Sequence, residues 1–408
     1  MKSLVLTLLF LCFHFHVVIA QGVFPNIPLD YPAHLVSKTV PTGVIVATRE
    51  GNAIRIQKVN NELKKIKEIA QIKADTNRIL VKNRVHKIEI DGDDIIVYWG
   101  YGTYENKPLY KFFRSTVNEN GNISTTLVKD LISLESYFTL ISANNNFLFF
   151  SSNKDSLKWE FFEKNGETQE KVTKLIDSLN IKPGYQEVYS FNNYHFLSGF
   201  QKVIIFDSSF NEVRRVFASR DTDTGFRNNF HTPVNIYQFN HQFILSEFYV
   251  HAPDTPIDEE GYTISYRKLD ADSLKISPIY NRSTLRSNNN IACYQKFYHN
   301  YGTQLLFEVR VSNTDKNTNG THRPIDLYDR HILLHSFDKD LNFRFSKRYF
   351  EQLDSVTYFP LELIELSDGN LLLSSFYYNY AEQAPNELGQ LHFMKIDTNG
   401  NVLATHVA

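Results

Sequence analysis

Residues 361–407 read LELIELSDGNLLLSSFYYNYAEQAPNELGQLHFMKIDTNGNVLATHV, and the fold can be read from this stretch. Leu361 to Leu366 has the length and apolar content of a strand. Ser367-Asp368-Gly369-Asn370 is a tight turn, because Gly and Asn accept the positive φ that two-residue hairpins require. Leu371 to Phe376 is a second strand, and a long polar and aromatic loop runs on to Leu388. Gln390 to Ile396 is a third strand, Asp397-Thr398-Asn399-Gly400-Asn401 turns again, and Val402 to Val407 is a fourth. Four strands joined by two tight turns and one loop form a meander.

The same order of turns recurs upstream. First-hairpin turns fall at Pro41-Thr42-Gly43, Asp91-Gly92-Asp93, Asn144 to Asn146, Asn192-Asn193, Asn240-His241 and Asn300-Tyr301-Gly302. Second-hairpin turns fall at Asn60-Asn61, Asn118 to Gly121, Asn165-Gly166, Asp207 to Asn211, Asp270 to Ser273 and Asp338 to Leu341. Seven units result, spaced between about 43 and 68 residues apart. Such a period predicts an all-β, seven-bladed β-propeller of four-stranded antiparallel meanders, spanning 32–408 as one domain. One meander has two faces and too little core to stand alone, so neighbours must cover both. Six or eight blades, or a β-sandwich, are the alternatives. Each unit supplies its own four strands, so no strand is shared across the point of ring closure. Helical signals are sparse. Asn60 to Ala74 is the best candidate and Val172 to Leu179 a short second one.

The segment Asp368-Gly369-Asn370 with Leu371 to Ser375, followed by Met394-Lys395-Ile396-Asp397-Thr398-Asn399-Gly400-Asn401, resembles the blade repeat of exported bacterial β-propeller proteins. Asp91 to Val97 with Asn120-Gly121-Asn122 is a weaker copy. The resemblance implies the architecture and no particular activity. The Trp-Asp repeat, the sialidase-type box and the kelch double glycine are absent from the chain.

The N-terminus places Lys2 before an apolar run from Leu4 to Phe15 and closes with Val18-Ile19-Ala20. This is the order of a secretory signal, which predicts cleavage after residue 20, a lead-in at 21–31 and a secreted or periplasmic protein. A membrane anchor is the other reading, but its apolar core would be shorter than the roughly 20 residues a bilayer needs. No later stretch approaches a spanning length. Lys2 is one of 43 basic residues against 45 acidic ones, so the rest carries a net charge of about -3. No basic excess exists to hold phosphates, which argues against nucleic acid as a partner. Cys293, in an apolar run, reads as a small core residue.

Up-and-down alternation puts both tight turns of a blade on one face of the disc and its middle loop on the other. Loops held by a rigid scaffold carry function. The middle loops at 100–107, 249–261, 312–327 and 377–388 are long, whereas those near 151–155 and 199–202 are short. The expected rim is therefore uneven, with a cleft. Tyr101, Tyr104, Tyr249, His251, His322, Arg323, Tyr377 and Tyr378 fall in the long loops, with Arg227 and His231 in a connection on the same face. Tyrosine offers a flat area with a polar tip, suited to a carbohydrate or protein partner. Asp254, Asp258, Glu259, Glu260, Asp315, Asp326 and Glu382 lie in the same loops, and a pair could serve a polysaccharide hydrolase or lyase. Nothing in their spacing selects a pair, so no catalytic residue is assigned. A structural scaffold without a small ligand is the third reading. His331 and His335 share a strand face roughly 13 Å apart, too far for one ion. No metal ligand set and no cofactor motif is found. Sequons occur at Asn122, Asn281 and Asn319.

Overall fold

The computed structural model describes residues 35–407 outside the segments 51–52, 65, 74–80, 104–108, 133–137, 144–145, 154, 176–178, 180–186, 192–193, 200–201, 218–233, 241, 251–260, 278–280, 287–295, 314–329, 350–355 and 380–389. Residues 1–31 and Cys293 lie outside the described residues.

The chain forms seven antiparallel four-stranded units. Blade 1 is β1 (Leu35–Val40), β2 (Gly43–Glu50), β3 (Ala53–Asn60) and β4 (Ile66–Lys73). Blade 2 is β5 (Val81–Asp91), β6 (Asp94–Thr103), β7 (Leu109–Val117) and β8 (Ile123–Ile132). Blade 3 is β9 (Phe138–Ala143), β10 (Asn146–Ser152), β11 (Ser156–Glu163) and β12 (Thr168–Leu175). Blade 4 is β13 (Glu187–Phe191), β14 (Tyr194–Gly199), β15 (Lys202–Asp207) and β16 (Glu212–Phe217). Blade 5 is β17 (Asn235–Phe239), β18 (Gln242–Val250), β19 (Gly261–Asp270) and β20 (Asn281–Arg286). Blade 6 is β21 (Lys296–Tyr301), β22 (Leu305–Asn313), β23 (Arg330–Asp338) and β24 (Phe343–Tyr349). Blade 7 is β25 (Val356–Glu365), β26 (Leu371–Asn379), β27 (Gln390–Ile396) and β28 (Val402–Val407). A single parallel bridge, Arg330 to Thr357, links blades 6 and 7. First strands of successive blades approach one another, β1 against both β5 and β25, so they form the inner ring.

The seams are apolar. Ile45, Ile54 and Ile56 of blade 1 meet Val85, Val97 and Trp99 of blade 2. Tyr98 and Phe112 of blade 2 meet Phe147 and Phe162 of blade 3. Trp159 of blade 3 packs on Phe206 and Phe210 of blade 4, and Val216 on Val234 and Leu245 of blade 5. Phe307 and Leu334 of blade 6 meet Leu363, Leu371 and Leu373 of blade 7. The ring closes where Leu366, Leu372 and Phe393 of blade 7 pack on Val44, Val46, Val59 and Leu63 of blade 1. No strand is exchanged at this closure, as every blade keeps its own four strands; hydrogen bonds from Ser367 Oγ to Pro41 O and from Lys395 Nζ to Asn61 O add to the face packing.

The second-hairpin turns share one geometry. Asp207 Oδ1 accepts backbone N–H groups of Ser209 and Asn211, Asp338 Oδ1 those of Asp340 and Asn342, and Asp397 Oδ1 those of Asn399 and Asn401. The closing residue of each turn has positive φ: Gly121, Gly166 and Gly400, but Leu63, Phe210, Leu274 and Leu341 in the other blades. A bulky residue there costs about 1–2 kcal/mol. Burial offsets it, since Leu63, Phe210 and Leu341 are all 3% exposed or less.

Where described, both expected helices are mainly strand instead. Residues 66–73 form β4, and Val172–Leu175 ends β12; Leu179 is helical, with its neighbours outside the described residues. The cause is a β-bulge. Ile56 pairs with Ala70 and Gln57 with Glu68, leaving Ile69 as the extra residue. The bulge breaks alternation, so Ile66, Ile69 and Ile72 fall three apart and mimic a helical face. The same defect recurs in the outer strands of blades 2, 3, 4, 6 and 7.

Candidate functional site

The loop-rich face is built by strands that differ in length. The middle pair is 10 and 9 residues in blade 2, 9 and 10 in blade 5, and 9 and 9 in blade 6. In blade 7, β26 has 9. In blade 4 both have 6, and in blade 3 they have 7 and 8. All start from tight turns on the opposite face, so three extra residues raise the rim by about 10 Å. Blades 3 and 4 form the low side. Their connections are short: Asn153 Oδ1 alone accepts the N–H groups of Asp155 and Ser156 at 2.9 and 2.7 Å.

The residues expected on this face are distributed unequally. Tyr101 is a correction: it lies in β6, not in a loop, and is 7% exposed. Its ring stacks on Phe113 at 5.4 Å and tilts on Trp99 at 6.1 Å, in the core between blades 1 and 2. The strand continues past the point where Gly100 suggests a turn, because Gly100 is needed for close approach. A β-carbon there would lie 2.5 Å from Lys111 O and from the Tyr110 ring. Tyr249 lies in β18 opposite Thr263, Tyr377 in β26 opposite Tyr358 and Gln390, and Tyr378 opposite Thr357, all near the loop ends of their strands. Tyr104, Arg227, His231, His251, His322 and Arg323 lie outside the described residues, as do all seven loop carboxylates.

His331 and His335 do share β23. His335 is fully buried opposite Glu308, whose Oε2 accepts a hydrogen bond from Tyr266 Oη of the preceding blade. This is a seam contact. Among the described residues no three His, Cys, Asp or Glu side chains gather, and no helix is long and apolar enough to cross a membrane.

One ionisable group near the inner ring escaped the sequence reading. Glu362, in the strand Leu361 to Leu366, sits just after a bulge: Pro360 pairs with Ser375 and Glu362 with Ser374, with Leu361 extra. Bulges re-aim side chains, and this one turns Glu362 towards blade 1. The residue is intermediate in exposure, but its Oε2 is sealed from solvent and has no hydrogen-bond partner among the described residues. Burial pushes its carboxyl up to about 7. Ser37 of β1 offsets part of that shift, although its hydroxyl stops short of a formed hydrogen bond. The available signal was a charged residue, flanked by Leu361 and Leu363, in an inner strand.

No family model and no curated protein matches this chain. Among solved structures it is similar to the WD40 domain of SCAP from fission yeast, at 12% identity over 87% of this chain and 86% of that one, TM-score 0.43. It is similar to a polysaccharide lyase, an ulvan lyase, at 9% identity over 93% and 84%, TM-score 0.41. An uncharacterized protein from Listeria monocytogenes EGD-e aligns at 13% identity over 80% and 83%, TM-score 0.39. At these values no activity passes from them to this chain.

Proposed function

We propose that this chain is an exported, non-enzymatic recognition module that binds a glycan or a protein through its loop-rich face. The unequal rim carries the reading: long strand pairs in blades 2, 5 and 6 and the long β26 stand beside a low side at blades 3 and 4. Tyr249, Tyr377 and Tyr378 belong to the tall side, and tyrosine is a low-entropy contact residue. Lys2 and the apolar run that follows support export.

The test is a glycan array and a panel of candidate surface proteins, probed with wild type and with Tyr249, Tyr377 and Tyr378 each changed to Ala. A specific ligand should lose at least about tenfold in affinity in these variants. Binding that survives all three substitutions places recognition elsewhere. Turnover of a polysaccharide in the same screen would replace this reading with a hydrolase or lyase using the loop carboxylates.

A further inference from the structure

Three second-hairpin turns carry the same dipeptide: Asn120-Gly121 in blade 2, Asn165-Gly166 in blade 3 and Asn399-Gly400 in blade 7. A fourth, Asn319-Gly320, lies outside the described residues. Asparagine followed by glycine is chemically fragile. Glycine has no side chain to shield its backbone nitrogen, which can attack the carbonyl carbon of the asparagine side chain. The three turns offer this chemistry on equal terms. Each Asn is exposed, each Gly has positive φ, and each Gly N–H donates to the carbonyl three residues back at 2.9 Å.

The turns differ in what holds the asparagine. Asn165 Oδ1 accepts the backbone N–H of Glu167 at 2.9 Å, and Lys129 Nζ of blade 2 donates to Gly166 O at 2.8 Å. Arg344 Nη2 of blade 6 donates to Asn399 Oδ1 at 3.1 Å, and Tyr349 Oη donates to Gly400 O at 2.9 Å. Blade 2 has neither restraint. Asn118 Oδ1 takes the backbone N–H groups of both Asn120 and Asn122, at 3.1 and 2.9 Å, so neither is left for the Asn120 side chain. Blade 1 meets this turn with the Ile69 carbonyl, which has no proton to donate. Among the described residues, neither the Asn120 side-chain amide nor the Gly121 carbonyl has a hydrogen-bond partner.

We infer that Asn120 is a site of spontaneous deamidation, with the Gly121 nitrogen as nucleophile and water as the second reactant. The turn bond from Gly121 opens and its nitrogen loses a proton to solvent. That nitrogen bonds to Asn120 Cγ, the Cγ–Nδ2 bond breaks, and the leaving nitrogen takes up a proton and departs as ammonia. Water then opens the cyclic imide at either carbonyl, leaving Asp or isoaspartate, and nothing is oxidised or reduced. Isoaspartate adds a methylene to the backbone, and either product sets a negative charge beside Glu119 on the tight-turn face. This inference is independent of which partner the loop face recognises.

The test is ageing of the purified chain in mildly alkaline buffer, folded and in parallel unfolded in guanidinium chloride, followed by trypsin and mass spectrometry. The three asparagines fall in separate tryptic peptides, 115–129, 165–171 and 396–408. Each deamidation adds about 1 Da, and isoaspartyl peptides separate from aspartyl ones by chromatography. In the folded chain Asn120 should convert at least about threefold faster than Asn165 or Asn399, the factor that one ordinary hydrogen bond commands. In the unfolded chain the three rates should draw together. Asn120→Gln should remove the mass gain from peptide 115–129, and Arg344→Ala should speed conversion of Asn399. Equal rates in the folded chain, a lead at Asn165 or Asn399, or the same ratios in the unfolded chain would overturn the inference. The wild-type comparison stands by itself should either variant fail to fold.

Discussion

The carbonyl oxygen of Val128, in the outer strand of blade 2, lies 2.3 Å from the point that a β-carbon on Gly166 of blade 3 would occupy. Val128 is the extra residue of the blade 2 bulge, since Phe112 pairs with Lys129 and Phe113 with Leu127. The same contact joins blades 1 and 2, where the carbonyl oxygen of Ile69, the bulged residue of β4, lies 3.2 Å from the point a β-carbon on Gly121 would occupy. Bulge and turn therefore form a matched pair across each of these seams, and Lys129 Nζ adds a hydrogen bond to Gly166 O at 2.8 Å.

Gly166→Ala should consequently cost about 2–4 kcal/mol, because positive φ and a backbone clash add together. Gly92 also has positive φ but nothing within 4 Å of its missing β-carbon. Gly92→Ala should cost only about 1 kcal/mol. Urea unfolding of the two variants measures the difference, and equal losses would contradict the packing role.

Glu160 is 6% exposed and is approached by Lys158 at 3.1 Å, Lys129 at 3.4 Å and Lys171 at 3.6 Å. Burial pushes its carboxyl up, but hydrogen bonding from Lys158 and the charges of the three lysines hold it below the usual value. Its folded value is depressed, so the stability it contributes is present above about pH 4.5 and is lost as pH falls through the folded value. Glu160→Gln should cost roughly 3 kcal/mol, because Lys158 would remain buried without a counter-charge. Adding Lys158→Met should recover most of the loss, a coupling that a double-mutant cycle reads directly.

Glu362 has the opposite sign. Its folded value, about 7, lies above its ordinary one. Its favourable contribution is complete below about pH 4.5 and is lost as pH rises towards 7. Glu362→Gln should match wild type at low pH and exceed it by about 1–3 kcal/mol near pH 8. A constant difference across that range would show that the carboxyl is not desolvated.

His195 stacks on Phe210 at 4.5 Å, with Ser190 Oγ 3.0 Å from its Nδ1. His392 meets the edge of Tyr358 at 5.3 Å. Burial lowers both to about 4; Asp207 opposes the shift at His195, and His406 adds to it at His392. Stability should therefore hold above about pH 6.5 and fall as pH drops from there towards 4. Proton NMR should show two imidazoles that remain neutral down to that range. The Glu362→Gln background isolates their contribution, because Glu362 acts in the reverse direction over overlapping pH.

Turn chemistry was the most legible part of the chain. Asp207, Asp338 and Asp397 accept the backbone bonds their positions imply, and Gly121, Gly166 and Gly400 have the positive φ that Gly tolerates. Leu63, Phe210, Leu274 and Leu341 hold the same conformation without any local signal; for the first three the stabilising contact comes from a neighbouring blade, and Leu341 is likewise buried. Residues 66–73 misled for a related reason: a bulge restores a three-residue period that belongs to helices. Tyr101 misled because Gly100 signals a turn but serves a close approach. Glu362 was legible only as a charge in a strand; which side it faces depends on the bulge at Leu361.

The amino-acid order by itself determined the seven meanders, since strand alternation and turn residues act over fewer than ten positions and need no distant partner. Tertiary structure alone decided how the ring closes, which side chains the seams bury and where the Glu362 carboxyl is desolvated. Burial and desolvation depend on what lies across the seam, and residues 35–60 and 360–395 become neighbours only when the circle is complete.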